Sequence, residues 1–326
     1  MIDRAFFDAA RARVRDRILT TRVVDVVPGV VPAGAGAEVT PAVDDRLDAP
    51  LRLKLECLQV TGSFKARGAL NRVLALPPEV AARGIVTASG GNHGLAVAFA
   101  GHAVGTPTTV YLPNHTSAEK ARRIERWGAT VVRAGDVWDD AHAAAIARAE
   151  RDGLTYVHPF ADPDVVAGQG TIALELFEQA PDTDALVVAI GGGGLVAGAG
   201  KAARLLRPGL RIVGVEPAGA PTLYESLRAN DVIELPAIAT KAGTLAPRRS
   251  ERYTFEIVRE VVDEIVLVTD DEMRDAARWL LANVGVGVEL SGAAAVAAVL
   301  ARRAPLAGAR RPCALVCGAG TDAVPT

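Results

Sequence analysis

The sequence predicts an α/β protein, an open and mainly parallel sheet with helices on both faces. Three observations predict it. From about residue 84 onward, short β-rich runs alternate with alanine-rich stretches of helical periodicity. Half of the 326 residues are apolar, enough for a sizeable core and for two domains. The glycine clusters fall in loops leading from a predicted strand into a predicted helix, where open α/β sheets bind their ligands.

Taken in order, "MIDRAFFDAARARVRDRI" mixes charged and apolar residues at helical spacing, which predicts an amphipathic helix and not a secretion signal. "GIVTAS" then leads to "GLAVAFAGHAVG", "TTVYLP" to "SAEKARRIERWG", and "ATVVRAG" to "WDDAHAAAIARAERDG". "LTYVHPF" precedes the helix "GTIALELFEQA", "DALVVAI" precedes "LVAGAGKAARLL", and "RIVGVEP" follows. Near the C-terminus the apolar run "CALV" reads as one more strand. Ala185 to Gly200, the longest run free of both charged residues and histidine, is Gly-rich and shorter than the ~18 residues a membrane helix needs.

Lysine plus arginine (36) nearly balances aspartate plus glutamate (38), and no basic block offers itself to phosphate backbones or anionic lipid. Nucleic-acid and membrane partners are therefore not expected. Three cysteines, Cys57, Cys313 and Cys317, make no disulfide framework, so a reducing, cytoplasmic address is expected.

Four stretches could carry chemistry. "TGSFKARGAL" (Thr61 to Leu70) holds Lys65, either a solvated charge at a helix start or a nitrogen nucleophile. "SGGNHG" (Ser89 to Gly94) is either a plain βα turn or a loop whose free amides take a carboxylate or phosphate. "AIGGGGLVAGAG" (Ala189 to Gly200) suits a backbone cradle for phosphate, tight helix packing, or a relaxed dinucleotide fingerprint at Gly192, Gly194 and Ala197 with Glu216 as its ribose acid. "VCGAGTDA" (Val316 to Ala323) puts Cys317 at a strand end, as a buried hydrophobe or as part of the same rim. No paired histidines with ligand spacing accompany the cysteines, and of five histidines His93 and His158 lie in these loops, which argues against a catalytic zinc.

Together, "KLECLQVTGSFKARGAL", "TASGGNHG", "VHPFADPDVVAGQGT", "GGGGLVAG", "VGVEPAGA" and "VCGAGTDA" resemble the serine/threonine dehydratases and serine racemases, pyridoxal-phosphate enzymes of the tryptophan-synthase-β type, fold type II. The resemblance runs in the family's order from about residue 54 to 322. It implies two open, mainly parallel sheets covered by helices. It also implies a large cofactor domain (1–82 and 159–326), a small mobile domain (83–158) and a homodimer. It implies that Lys65 forms the Schiff base with pyridoxal 5'-phosphate, beside Phe64. Gly191, Gly192, Gly193, Gly194 and Leu195 would hold the cofactor phosphate, Asn92 the ring 3'-oxygen, and Cys317 the pyridine nitrogen. The loop of Ser89, Gly90, Gly91, Asn92 and His93 would grip the substrate carboxylate. Chemistry agrees at Lys65, because a lysine at its ordinary pKa of about 10.4 is a poor nucleophile until burial frees the amine. A nicotinamide-dependent oxidoreductase, the rival reading, leaves Lys65 and Asn92 without a task.

The implied reaction is dehydration and deamination of a small 3-hydroxy amino acid such as L-threonine or L-serine, giving a 2-oxo acid and ammonia. A neutral thiol at the pyridine nitrogen favours elimination over transamination. Racemases of the family carry a serine where this chain has Gly90, so dehydration is expected well above racemisation; Phe160 points the same way. In the family's cation loop Glu216 and the Ala220 carbonyl remain, leaving room for Mg, Mn, Ca or K, but Thr222 replaces an aspartate ligand. Lys241, Arg248 and Arg249 either face a second substrate carboxylate or are surface charges. No regulatory domain is expected after Asp322.

Overall fold

The computed structural model describes residues 2–26, 47 and 50–321; positions 322 and 323 of the last motif lie outside them. In chain order the elements are α1 (Arg4–Val14), β1 (Val23–Val26), β2 (Leu51–Lys54), α2 (Lys65–Leu74), α3 (Pro78–Ala81), β3 (Ile85–Ala88), α4 (Asn92–Val104) and β4 (Thr108–Leu112). Next come α5 (Ala118–Glu125), β5 (Thr130–Arg133), α6 (Trp138–Asp152), β6 (Thr155–Tyr156), α7 (Pro163–Gln179), β7 (Ala185–Ala189), α8 (Gly194–Leu206) and β8 (Arg211–Pro217). The last are α9 (Thr222–Ala229), α10 (Arg252–Val261), β9 (Glu264–Val268), α11 (Asp270–Val284), α12 (Leu290–Leu300) and β10 (Pro312–Leu315). They form two compact units, Met1–Thr20 with Gln59–Ile172, and Thr21–Leu58 with Ala173–Thr326.

The first unit carries a parallel four-stranded sheet in the order β5-β4-β3-β6. Every residue of β3 is buried, as expected of a parallel strand covered on both faces, whereas the edge strand β5 leaves Thr130 and the charged Arg133 exposed. The amphipathic N-terminal helix forms as expected. Asp3 caps α1 by accepting the Phe6 amide, and Phe7, Ala10 and Val14 are buried on its inner face. Leu70 and Val73 of α2 pack with Ile85 of β3 and Val97 and Phe99 of α4, each large side chain contributing roughly 1.5–3 kcal/mol of burial.

Helices α2 and α7 come backbone to backbone at Gly68 and Gly168. A Cβ on Gly168 would lie 2.5 Å from the Arg67 carbonyl oxygen and 2.5 Å from the Gly68 Cα, and one on Gly68 would strike Gln169. Only glycine permits so close a backbone approach.

The second unit carries a six-stranded sheet in the order β1-β2-β10-β7-β8-β9, parallel except for the β1–β2 pair. All five residues of β7 and all four of β10 are buried. The strand order gives both sheets the same device. In the first, the chain moves outward from β3 to β4 and β5, then returns to the other side of β3 with β6. In the second it moves from β7 to β8 and β9, then returns to the other side of β7 with β10. Open α/β sheets bind ligands beyond the carboxyl ends of strands at such reversals. The loop after β3 is Ser89–Gly91, and the loop after β7 contains Gly191–Gly193.

Candidate active site

In the first unit Lys65 opens α2, with Phe64 at its N-cap and no side-chain cap bond. Gly62, at φ +80°, supplies the left-handed turn before it. The Lys65 Nζ donates to the Pro159 carbonyl at 2.7 Å and lies 5.1 Å from the centre of the Phe64 ring. The other lysine of this sequence block, Lys54, belongs to the second unit and is fully buried there, donating to Glu175 at 2.6 Å and to Gln179 and the Thr21 carbonyl at 2.9 Å. A buried lysine neutralised by a carboxylate is structural, whereas Lys65 is half-buried with its amine on a backbone carbonyl.

Ser89, Gly90 and Gly91 link β3 to Asn92 and His93, the first residues of α4. The Ser89 hydroxyl accepts the Gly91 amide at 3.2 Å, and the Ser89 carbonyl sits where any side chain on Gly94 would have to go. His93 is buried, with Nε2 3.0 Å from the Val157 carbonyl, and burial followed by the charge of Lys65 pushes its pKa down to about 3. His158 is depressed to about 4 by burial, then by His142 and Lys65. Both imidazoles are thus neutral beside Lys65 near pH 7. On this geometry His93 donates through Nε2, leaving Nδ1 as an acceptor with no protein partner.

In the second unit Gly193 adopts φ +90°, and a Cβ there would come within 2.7 Å of Leu223 and 2.8 Å of Thr254. A Cβ on Gly191 would lie 3.0 Å from the Thr244 carbonyl oxygen. The Ser250 hydroxyl holds the Gly192 carbonyl at 3.0 Å, and α8 begins at Gly194 and Leu195 without a side-chain cap. Backbone amides at an uncapped helix start after such a turn favour an anion. Cys317, two residues beyond β10, is buried with its thiol 3.4 Å from the Ser291 carbonyl. Cys57 and Cys313 are buried as well, and their thiols are pushed up to about 12 by burial.

Glu216, at the end of β8, is fully buried and accepts the amides of Leu223 (2.9 Å) and Tyr224 (2.8 Å), so both oxygens cap α9. Burial raises its pKa to about 8. That geometry does not suit a ribose-binding acid, which removes the main support for the dinucleotide reading. Thr222 donates to the Pro247 carbonyl, Ala220 is buried, and among the described residues no three His, Cys, Asp or Glu side chains are grouped to hold a metal. Arg248 pairs with Glu234 on the surface, and Asp270 takes the Lys241 amide.

The residues present fit a lysine-bound, phosphate-bearing cofactor. The first unit holds an amine, with the buried hydroxyls of Thr61 and Ser63 lacking protein partners, and the second holds a glycine cradle that a Cβ would fill. Sequence reasoning missed Thr61, Ser63, Pro159 and Ser250, whose roles rest on burial and on side-chain-to-backbone bonds that no local pattern announces.

Two open α/β sheets of this topology define a fold type II pyridoxal-phosphate protein. The model of the family described as "Pyridoxal-phosphate dependent enzyme" matches residues 37–318, and the chain belongs to that family. It is 42% identical over 271 residues to an L-threonine ammonia-lyase of Geobacter sulfurreducens, covering 83% of this chain and 67% of that one. It is 41% identical over 248 residues to an L-threonine ammonia-lyase of Thermotoga maritima, covering 76% of this chain and 62% of that one. The chain thus spans about two thirds of the length of these relatives. Maize serine racemase superposes with a TM-score of 0.89 at 31% identity, covering 98% of this chain and 94% of that one. No helix of the described residues is long and apolar enough to cross a membrane.

Proposed function

We propose that this pyridoxal-phosphate-dependent enzyme is an ammonia-lyase acting on a 3-hydroxy amino acid such as L-threonine or L-serine, releasing a 2-oxo acid and ammonia. The observation that carries the reading is Gly90. The loop that would face the substrate has no hydroxyl of its own at the position where racemases of the family have a serine. Bound pyridoxal phosphate supplies an electron sink for the pair left at Cα when its proton departs. The Lys65 amine takes that proton and passes it to the β-hydroxyl, which leaves as water, and a second water hydrolyses the released enamine to the 2-oxo acid and ammonia. The amides of Ser89 to His93 bind the carboxylate; Asn92 and Cys317 orient the ring, and Gly191 to Gly194 with Leu195 hold the phosphate. His93 and His158 stay neutral and add no charge beside the amine.

A second reading, racemase, draws support from Thr116, whose hydroxyl lies 3.6 Å from where a Cβ on Gly90 would be. The domain division at 83–158 and a homodimer belong to the same proposal. The cation expectation at Glu216 and Ala220 is replaced in it by the α9 amides as partners of Glu216.

The test is the visible absorption of the protein with pyridoxal phosphate, followed by L-threonine, L-serine and 3-hydroxyaspartate with detection of 2-oxo acid and of D-isomers. Absorption with 2-oxo acid supports the lyase. D-isomers without 2-oxo acid favour the racemase, and no absorption change sinks the cofactor roles given to these residues.

A further inference from the structure

The turn after β6 is held by more side-chain-to-backbone bonds than its length requires. The Val157 carbonyl accepts from the Thr87 hydroxyl at 2.9 Å and from His93 at 3.0 Å. Asp162 accepts the amides of Asp164 (2.8 Å) and Val165 (3.2 Å), capping α7. Between them the His158 Nδ1 faces two amides, Phe160 at 3.2 Å and Ala161 at 2.8 Å. Both are donors, so Nδ1 carries no proton and the ring hydrogen sits on Nε2. The imidazole is flanked edge-on by Tyr156 (centroids 6.2 Å, 70°) and Phe160 (4.6 Å, 85°), which fixes its rotamer. What this turn presents to Lys65 is the Pro159 carbonyl, 2.7 Å from Nζ, on a residue whose φ the ring already restricts.

We propose that His158 is a positioning residue: its neutral imidazole closes the 158–161 turn as an asparagine closes an Asx turn, and so aims the Pro159 carbonyl at the Lys65 amine. The amine is thereby held in one orientation whenever it is not engaged in chemistry. This rests on the role proposed for Lys65. It concerns the acceptor nitrogen and not the ring, which makes the two separable. His158→Asn keeps an oxygen able to accept amides two and three residues on, without the ring. His158→Phe keeps an aromatic ring between Tyr156 and Phe160 without the acceptor.

Apoprotein of the wild type and both variants is mixed with pyridoxal phosphate while visible absorption is followed, melting temperatures are taken, and kcat and KM are measured separately on L-threonine. His158→Phe is expected to slow the rise in absorption and lower kcat by about 10- to 100-fold, the scale of a reacting group misplaced by about 1 Å, with KM little changed. His158→Asn is expected to stay within about 3-fold of wild type, a difference of under ~1 kcal/mol. Should His158→Phe fail to fold, His158→Leu takes its place. The reverse ranking, with His158→Phe fast and His158→Asn slow, overturns the proposal in favour of plain packing, as does equality of all three. A wild type that develops no absorption overturns the role of Lys65 and this proposal with it.

Discussion

The loops after β3 and β7 stand at the same topological position in two different sheets, yet they are built in opposite ways. After β3 the chain is fixed by side chains: the Ser89 hydroxyl on its own loop, and Thr87 and His93 on Val157. After β7 it is fixed by the absence of side chains, with Gly193 at φ +90° against Leu223 and Thr254. A loop meant to present functional groups needs side-chain supports to aim them. A loop meant to present amides to an anion must clear every Cβ from the approach. On the proposed function, the same reversal of strand order would serve reaction in the first loop and anchorage in the second.

The largest expected effect is on the reacting side. Lys65→Ala should reduce turnover by at least about 1,000-fold, the combined scale of losing a nucleophile and a proton carrier, in a 2-oxo acid assay. Near-normal elimination would remove Lys65 from its role.

Next comes a matched pair of glycine substitutions. Gly193→Ala should destabilise the apoprotein by about 1–3 kcal/mol through overpacking and a strained φ, measured by urea unfolding. Gly90→Ser meets the Thr116 methyl at 3.1 Å and otherwise makes ordinary contacts at 3.6 Å, so it should cost under about 1 kcal/mol while raising D-serine formation relative to pyruvate. If both glycines tolerate substitution equally, the contrast between the loops fails.

A smaller effect is a pH dependence confined to the first loop. His93 and His158 have folded-state pKa values near 3 and 4, below the ordinary value of 6.5, so between those limits the unfolded chain binds more protons. Their contribution to stability is full above about pH 6.5 and is lost as pH falls towards 3 to 4. The melting temperature should therefore drop across that window, and drop less steeply in His158→Asn. Smallest of all, Arg248→Ala should change stability by no more than about 1 kcal/mol and leave kcat unaltered, because its partners are the surface carboxylate Glu234 and the Leu235 carbonyl.

The βα alternation from residue 84 to 217 was legible because buried parallel strands such as "DALVVAI" are short apolar runs bounded by turn residues. Two boundaries differ for physical reasons. β6 ends at Tyr156: the Val157 amide still reaches the Val86 carbonyl, but the Val157 carbonyl is taken by Thr87 and His93. α7 starts at Pro163, ahead of "GTIALELFEQA", because Asp162 caps its first amides and proline suits a first helical turn. The site was legible where glycine or lysine marks it. Nothing local reveals that Glu216 caps α9, that Ser63 is buried without a partner, or that His158 accepts two amides.

The contact of Gly68 with Gly168 has a consequence for how variation in this chain should be interpreted. Lys65 opens α2, and α2 owes its depth to the missing side chain at Gly168 of α7. A single methyl gained at position 168 would push the reactive helix outward and silence the enzyme while every group that handles substrate stayed intact. Among inherited variants, an innocuous-looking alanine on a helix that carries none of the proposed reacting groups would count as a loss-of-function allele.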